Sequence, residues 1–134
     1  MHYITCLDGI TEFSKATEIL ESKGLRIKEY GNKMPELFIV KYDKTTCDMS
    51  DPDVMKCRGL VLSKQDIRIV CPAPPKSVSE NDFLKNFNTT PNDFIIQDFI
   101  DGTMVNVFNF NGETFISTRS CLNAKCRWFS NCRN

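Results

Sequence analysis

The residues of this chain that could act as catalytic groups or metal ligands include one histidine and seven cysteines, and six glycines could contribute to a phosphate-binding loop. Because His2 is the only histidine, no histidine-based triad, HUH-type site or zinc-peptidase site can be assembled from the sequence. The glycines stand apart from one another, so no glycine-rich loop is present to hold phosphate groups. Metal-dependent hydrolysis is therefore not expected.

The cysteines are odd in number and contain no C-x-x-C pair. In a reducing compartment the default for such residues is a free thiol, either buried or at the surface. A zinc site would have to combine Cys121, Cys126 and Cys132 with His2, and their spacing fits no common zinc pattern. We predict no metal site.

The charges of the chain balance, with 17 basic and 17 acidic residues among 134. No overall positive field attracts nucleic acid, so a phosphate-binding surface must be a local patch. No apolar run approaches the roughly 18 to 20 residues of a membrane span, and the first residues lack the profile of a signal peptide. We expect a cytoplasmic protein with no membrane partner, folded as a single domain over residues 1–134.

The first half of the chain is predicted to form one helix and two β-hairpins. Apolar residues recur at helical spacing from Thr11 to Lys23, and Gly24 suits a left-handed cap. The polar stretch Asp43–Lys56, which contains a proline, is interpreted as a loop. The two hairpins pair Leu25–Tyr30 with Glu36–Tyr42, and Arg58–Ser63 with Ile67–Cys71.

The second half carries the clearest strand pattern. Ser79 with Asp82 predicts a helix start, with Phe83, Leu84 and Phe87 as its apolar face. Val105 and Val107 are predicted to face the core, with Asn106 and Asn109 facing outward. The predicted strands are Phe94–Phe99, Thr103–Phe110 and Glu113–Thr118, the last two joined at Asn111-Gly112. The fold class is α+β, with antiparallel β-sheets and few short helices.

A D-G turn, Asp101-Gly102-Thr103-Met104, lies between two of these strands, although D-G alone is a common turn dipeptide. Its neighbours make it informative: K-C-R-G-L-V (56–61), P-K-S (75–77), F-L-K-N-F-N (83–88) and I-S-T-R-S (116–120). In this order they resemble the RNA ligases of phages and large DNA viruses, members of the covalent nucleotidyltransferase superfamily. The resemblance covers roughly residues 36 to 129.

The resemblance implies a K-x-D-G motif whose lysine attacks the α-phosphate of ATP and forms lysyl-AMP. In this sequence Phe99 stands at that position, two residues before Asp101. A phenyl ring has no lone pair and cannot form a phosphoramidate. No catalytic residue is therefore predicted, although an active ligase with a relocated lysine stays an alternative, with Lys76, Lys41 or Lys125 as the substitute.

The resemblance also implies a nucleotide site, with ATP and Mg²⁺ as its possible cofactors. Arg58 and Lys76 match positions that contact the ATP phosphates, and Arg119 matches a basic position near the nucleotide or nucleic-acid strand. Asp101 and Gly102 shape the turn, or Asp101 is a polar ligand of the nucleotide sugar. Lys125 and Arg127 could add to a local anion site; solvated surface charges are the alternative for all these cations.

We therefore expect a degenerate, non-catalytic RNA ligase-like nucleotidyltransferase domain that binds a nucleotide or RNA ends. The alternative is a virion-structural or protein-interaction module that reuses the fold, with Phe99, Phe108, Phe110 and Phe115 as packing residues. The chain resembles the N-terminal portion of the family's adenylyltransferase domain, which favours a truncated domain with a protein partner or a homo-oligomer. If the protein is viral, its location is the host cytoplasm or the virion.

Overall fold

The computed structural model describes residues 3–34, 36–74, 76–86, 95, 97–98 and 100–122. Antiparallel strands and short helices make up these parts of the chain, which confirms the α+β class. No helix in the described ranges is long and apolar enough to cross a membrane. The elements are α1 (Phe13–Ser22), β1 (Arg26–Glu29), β2 (Leu37–Lys41), α2 (Pro52–Lys56), β3 (Arg58–Ser63), β4 (Ile69–Cys71), α3 (Glu80–Asn86), β5 (Val105–Phe110) and β6 (Glu113–Thr118).

Helix α1 ends as the sequence predicts. Gly24 has φ +77°, in the left-handed region. Its N–H donates to the carbonyl of Glu21 at 2.9 Å, and the N–H of Leu25 donates to the carbonyl of Leu20 at 3.1 Å. This pair of hydrogen bonds is a Schellman motif, which satisfies carbonyls that the helix leaves unpaired. The inward face of α1 buries Ala16 and Leu20 completely.

The main sheet is an antiparallel meander in the order β1-β2-β3-β4. Both predicted hairpins are confirmed, and β2 pairs with β3 to join them. Strands β2 and β3 are buried on both faces, so they have continuous apolar runs rather than an alternation. The helix side of the sheet carries Phe38, Val40, Leu60 and Leu62, and the opposite side carries Leu37, Ile39 and Val61.

Strands β5 and β6 form a hairpin that covers this opposite side. Asn111 and Gly112 have φ values of 51° and 83°, as a type I′ turn requires, so the predicted turn is confirmed. Phe108 stacks on Phe115 across the two strands with ring centroids 5.6 Å apart. These rings and Phe110 pack in the same cluster as Leu37, Ile39 and Val61. The described chain is thus layered as helix, four-stranded sheet and two-stranded hairpin.

The predicted facing of β5 is wrong. Val105 and Val107 are 50% and 64% exposed, whereas Asn106 is half-buried and Phe110 is buried. Because side chains alternate along a strand, burying Phe108 and Phe110 turns the valines outward and Asn106 inward. The larger aromatic area decides the facing, and it leaves the Asn106 Nδ2 buried without a hydrogen-bond partner. Asn109 is exposed, as predicted.

The loop interpretation of Asp43–Lys56 is wrong for its last five residues, which form α2. Asp51 caps this helix by accepting a hydrogen bond from the Asp53 N–H at 2.8 Å, and Pro52 occupies the first turn. The predicted start of α3 is confirmed, since Ser79 Oγ accepts from the Asp82 N–H at 3.2 Å.

The remaining predicted elements lie wholly or partly outside the described residues. Phe87, which is predicted on the apolar face of α3, lies outside the described residues. Of the predicted strand Phe94–Phe99, the described residues Ile95, Gln97 and Asp98 belong to no strand.

Asp53 fastens the N-terminal segment to α2. Its carboxylate accepts hydrogen bonds from the Thr5 N–H at 3.0 Å, the Thr5 hydroxyl at 2.9 Å and the Cys6 N–H at 2.8 Å. Burial alone would raise the pKa of Asp53, but the hydrogen bonds from Thr5 and Cys6 outweigh it and hold the pKa below its ordinary value. The residue is therefore a buried, ionised structural anchor.

Cys6, Cys47, Cys57 and Cys71 are free thiols, as the sequence predicts. The same prediction is wrong for Cys121, which is disulfide-bonded. Burial, assisted by the nearby Asp53, raises the pKa of Cys6 to about 11, and burial raises that of Cys57 to about 12. These two thiols stay protonated near neutral pH and are poor nucleophiles.

Candidate anion-binding site

A β-bulge at Gly59 orients the first candidate residue, Arg58. The register between β2 and β3 pairs Val40 with Leu60 and then Lys41 with Arg58, so Gly59 is an extra residue on β3. In a regular strand Arg58 would share the helix-facing side with Leu60, two residues along. The bulge, in which Gly59 has φ +94°, turns Arg58 to the other face, beside Lys41.

Gly59 also lets the end of the hairpin approach the sheet. A Cβ atom on this glycine would lie 2.7 Å from the Cα and 2.9 Å from the carbonyl oxygen of Arg119. Real Cβ atoms essentially never come this close to backbone atoms, so only glycine fits without displacing the chain after β6. Gly59 therefore brings the backbone of Arg119 directly against β3, and Arg58 and Arg119 come to share one cavity.

Antiparallel pairing extends this pair of arginines into a row of cations. Arg26 on β1 pairs with Lys41 on β2, and Lys41 pairs with Arg58 on β3. Like charges directly opposite each other on a sheet are unfavourable, so this row costs stability unless an anion offsets it. We call the cavity of about 380 Å³ at this row the cationic pocket; it is lined by Arg26, Lys41, Tyr42, Asp43, Lys44, Arg58, Arg119 and Ser120.

The cationic pocket holds five cations and one carboxylate. That carboxylate, Asp43, forms an ion pair with Arg26. Hydrogen bonds from the Thr45 N–H and hydroxyl, aided by the charge of Arg26, lower the pKa of Asp43, so it is ionised at neutral pH. Within the described ranges, no carboxylate lies within ion-pair distance of Lys41, Lys44, Arg58 or Arg119.

Arg58 combines partial burial with an unsatisfied donor. Its side chain is half-buried, and its Nε–H is buried with no hydrogen-bond partner. A buried donor without a partner costs roughly 1–3 kcal/mol, and more when the group is charged. A bound anion or a water molecule would supply the missing acceptor.

A second cavity, of about 280 Å³, shares the two arginines with the cationic pocket. It is lined by Arg58, Gly102, Thr103, Met104, Thr118 and Arg119. Gly102 and Thr103 of the D-G turn therefore share a cavity with Arg58 and Arg119, which also line the cationic pocket. Among the predicted site residues, the structure brings together Arg58, Arg119 and Gly102.

The other predicted site residues do not join this group or lie outside the described residues. Lys76 donates its backbone N–H to the Met55 carbonyl at 3.1 Å and lines neither cavity. Asp101 is exposed and lines neither cavity. The predictions for Phe99, Lys125 and Arg127 fall outside the described residues, as does the zinc prediction for His2, Cys126 and Cys132.

Sequence reasoning missed three of the five pocket cations as binding residues. No sequence pattern predicts a binding role for Arg26 or Lys44, and Lys41 is predicted only as a substitute nucleophile. The available signal was Gly59, because a glycine inside a strand often marks a bulge or a close backbone approach. The convergence of the cations depends on strand register, which charge counting along the sequence does not give.

The donor set suits the phosphates of ATP better than a protein-held Mg²⁺. Magnesium prefers carboxylate and water oxygens, and the one carboxylate of the cationic pocket is engaged by Arg26. In the portion of the chain that the structure describes, no group of three or more His, Cys, Asp or Glu side chains is arranged to hold a metal. A magnesium ion would have to arrive with the phosphates that it accompanies.

The chain is similar to one curated viral protein. It is 25% identical over 104 residues to the "Putative bifunctional polynucleotide kinase/RNA ligase" of Autographa californica nuclear polyhedrosis virus. The match covers 71% of this chain and 15% of that protein. No protein-family model matches the chain, and no solved structure is a significant match. The comparisons support a distant RNA ligase-like relationship and no closer assignment.

Proposed function

We propose that this chain is a degenerate RNA ligase-like nucleotidyltransferase domain that binds the phosphates of a nucleotide or an RNA end without catalysing ligation. One observation carries the proposal: Arg58 and Arg119 lie together in the cationic pocket, and no described carboxylate pairs with either. Two guanidinium groups form a forked set of donors that suits phosphate oxygens. The similarity to the viral "Putative bifunctional polynucleotide kinase/RNA ligase" supports the choice of ligand.

The loss of catalysis rests on Phe99, which stands two residues before Asp101 where the ligase motif has its lysine. Without a primary amine at this position, the attack on the α-phosphate has no nucleophile. Of the two substitute candidates among the described residues, Lys41 lines the cationic pocket and Lys76 lines neither cavity. A relocated nucleophile is therefore tested with Lys41→Ala as well as Lys76→Ala.

Binding is tested by titrating the protein with ATP and with a short RNA that carries either a 5′-phosphate or a 5′-hydroxyl. Arg58→Gln and Arg119→Gln are each expected to weaken phosphate binding about tenfold to hundredfold, since a hydrogen bond to a charged group contributes roughly 1.5–3 kcal/mol. Arg68→Gln removes the same charge from an exposed side chain paired with Asp66, outside both cavities, and serves as the matched control. Equal losses in all three variants would reject the proposal.

Catalysis is tested separately with ATP labelled at the α-phosphate, in the presence of Mg²⁺ or Mn²⁺. We expect no label on the denatured protein. Label that disappears in Lys41→Ala or Lys76→Ala would show an active ligase with a displaced nucleophile and would overturn the non-catalytic part of the proposal.

A second candidate, a protein-interaction or virion-structural module, is favoured by the outer face of the hairpin. Val105, Val107 and Ile116 are 50%, 64% and 44% exposed, and Val107 pairs with Ile116 across the strands. Sedimentation velocity of the purified protein tests a homo-oligomer. Self-association that is lost in Val107→Thr would support this module, and a monomer at all concentrations would argue against the homo-oligomer.

A further inference from the structure

We infer that the cationic pocket is a track for the sugar–phosphate backbone of single-stranded RNA several nucleotides long. This inference rests on the proposed function and specifies its ligand. A site for one phosphate group needs cations around a point, whereas this structure places them at paired positions across neighbouring strands.

The line is set by strand register. Arg26, Lys41 and Arg58 occupy paired positions on three successive strands, and they share one face because of the Gly59 bulge. Neighbouring strands are about 4.8 Å apart, which places the backbones of Arg26 and Arg58 about 10 Å apart. Successive phosphates of one nucleic-acid strand are about 6 Å apart, because the spacing of about 3.4 Å is only the rise along the helix axis, so the row faces about two of them.

Arg119 adds a fourth cation beside Arg58, at the junction of the two cavities. Because Arg58 and Arg119 line both cavities, a strand that lies on the row can continue past them to the D-G turn at Gly102. The cationic surface is therefore not closed off at the arginine pair, as a site for a single phosphate group would be.

Asp43 limits one end of the track. Its carboxylate pairs with Arg26 and is ionised at neutral pH, so it repels a phosphate placed on that arginine. We expect Asp43→Asn, which keeps a side-chain acceptor for Thr45, to strengthen binding of long RNA. The same change should leave binding of a mononucleotide at Arg58 and Arg119 nearly unaltered.

The test uses 5′-phosphorylated oligouridylates of one, two, four and eight nucleotides, titrated at several salt concentrations. Affinity should rise between one and four nucleotides, and the slope of log K against log salt should be about −1.4 for two phosphate contacts on a single strand. The double variant Arg26→Gln/Lys41→Gln should lose the gain from length and reduce the slope to about −0.7. Lys15→Gln/Arg68→Gln is the control with the same charge change, since neither side chain lines the cationic pocket.

The inference is overturned if uridine monophosphate or tripolyphosphate binds as tightly as the eight-nucleotide RNA. It is also overturned if the double variant weakens the mononucleotide and the longest RNA by the same factor. Either result leaves the proposed function standing, because a single phosphate would still bind at Arg58 and Arg119. Absence of binding by every phosphorylated probe rejects the proposed function and the track together.

Discussion

Replacing Gly59 with alanine tests how the fold builds the cationic pocket. At φ +94° an alanine is strained, and its Cβ would lie 2.7 Å from the Cα of Arg119. A left-handed conformation costs a non-glycine residue roughly 1–2 kcal/mol. The close atoms belong to the backbone and cannot rotate away, so the chain at Arg119 has to move as well.

We expect Gly59→Ala to lower the free energy of unfolding by about 2–4 kcal/mol, a sum of backbone strain and overpacking. A loss of this size corresponds to a fall in Tm on the order of 10 °C for a chain of this length. Because Arg119 moves away from Arg58, ATP binding should weaken at least about tenfold, as it does when one charged hydrogen bond is lost. Urea unfolding followed by circular dichroism gives the stability, and titration of the folded variant gives the affinity.

Gly9→Ala is the matched control for this prediction. Gly9 has φ +75°, but a Cβ atom placed there meets nothing within 4 Å. It should cost at most about 1–2 kcal/mol, the strain alone, and leave ATP binding unchanged. If Gly59→Ala destabilises no more than Gly9→Ala and keeps full affinity, the close approach to Arg119 does not build the pocket.

Three further predictions concern the scaffold. Asp53→Asn should lower the free energy of unfolding by about 3 kcal/mol at pH 7, because its hydrogen bonds to the N-terminal segment lose their charge. The folded-state pKa of Asp53 lies below its ordinary value of 3.8. Its contribution to the free energy of unfolding is therefore present above that pH and is lost as the pH falls through the folded-state pKa. In urea unfolding, Asp53→Asn should lose less stability than the unaltered protein when the pH falls below about 4. Cys57, with its pKa raised to about 12, should react with iodoacetamide at pH 8 only after unfolding, and rapid labelling of the native protein in mass spectrometry would contradict its burial. Val107→Thr should change Tm by less than about 2 °C because its side chain is largely exposed, and a large fall would mean that the outer face of the hairpin is covered.

Local patterns in the sequence predict much of the fold. The helix that ends at Gly24, both hairpins of the main sheet and the turn at Asn111-Gly112 follow from periodicity and turn chemistry, which act over a few residues. Helix α2 also had a local signal, since Asp51 followed by Pro52 is a helix start as well as a loop composition. Its five residues are too few to show an apolar period.

The facing of β5 and the composition of the cationic pocket depend on longer-range effects. Either face of β5 offered apolar residues, and packing of Phe108 and Phe110 on the main sheet decided between them. Arg26 and Arg58 are far apart in the sequence, and only the pairing of β1, β2 and β3 with the bulge at Gly59 places them in one row. Arg58 and Arg119 entered the sequence prediction through the resemblance to RNA ligases, not through their spacing.

The most direct test of the proposed function is a nuclear magnetic resonance titration that observes the arginine Nε–H groups while ATP or 5′-phosphorylated RNA is added. The Nε–H of Arg58 is buried and unpartnered, so it should shift strongly when a phosphate binds beside it. We predict saturable shifts at Arg58 and Arg119, with Arg68 unchanged. No shift at Arg58 and Arg119 at millimolar ligand, or equal shifts at Arg68, would contradict the assignment of the cationic pocket as the phosphate-binding site.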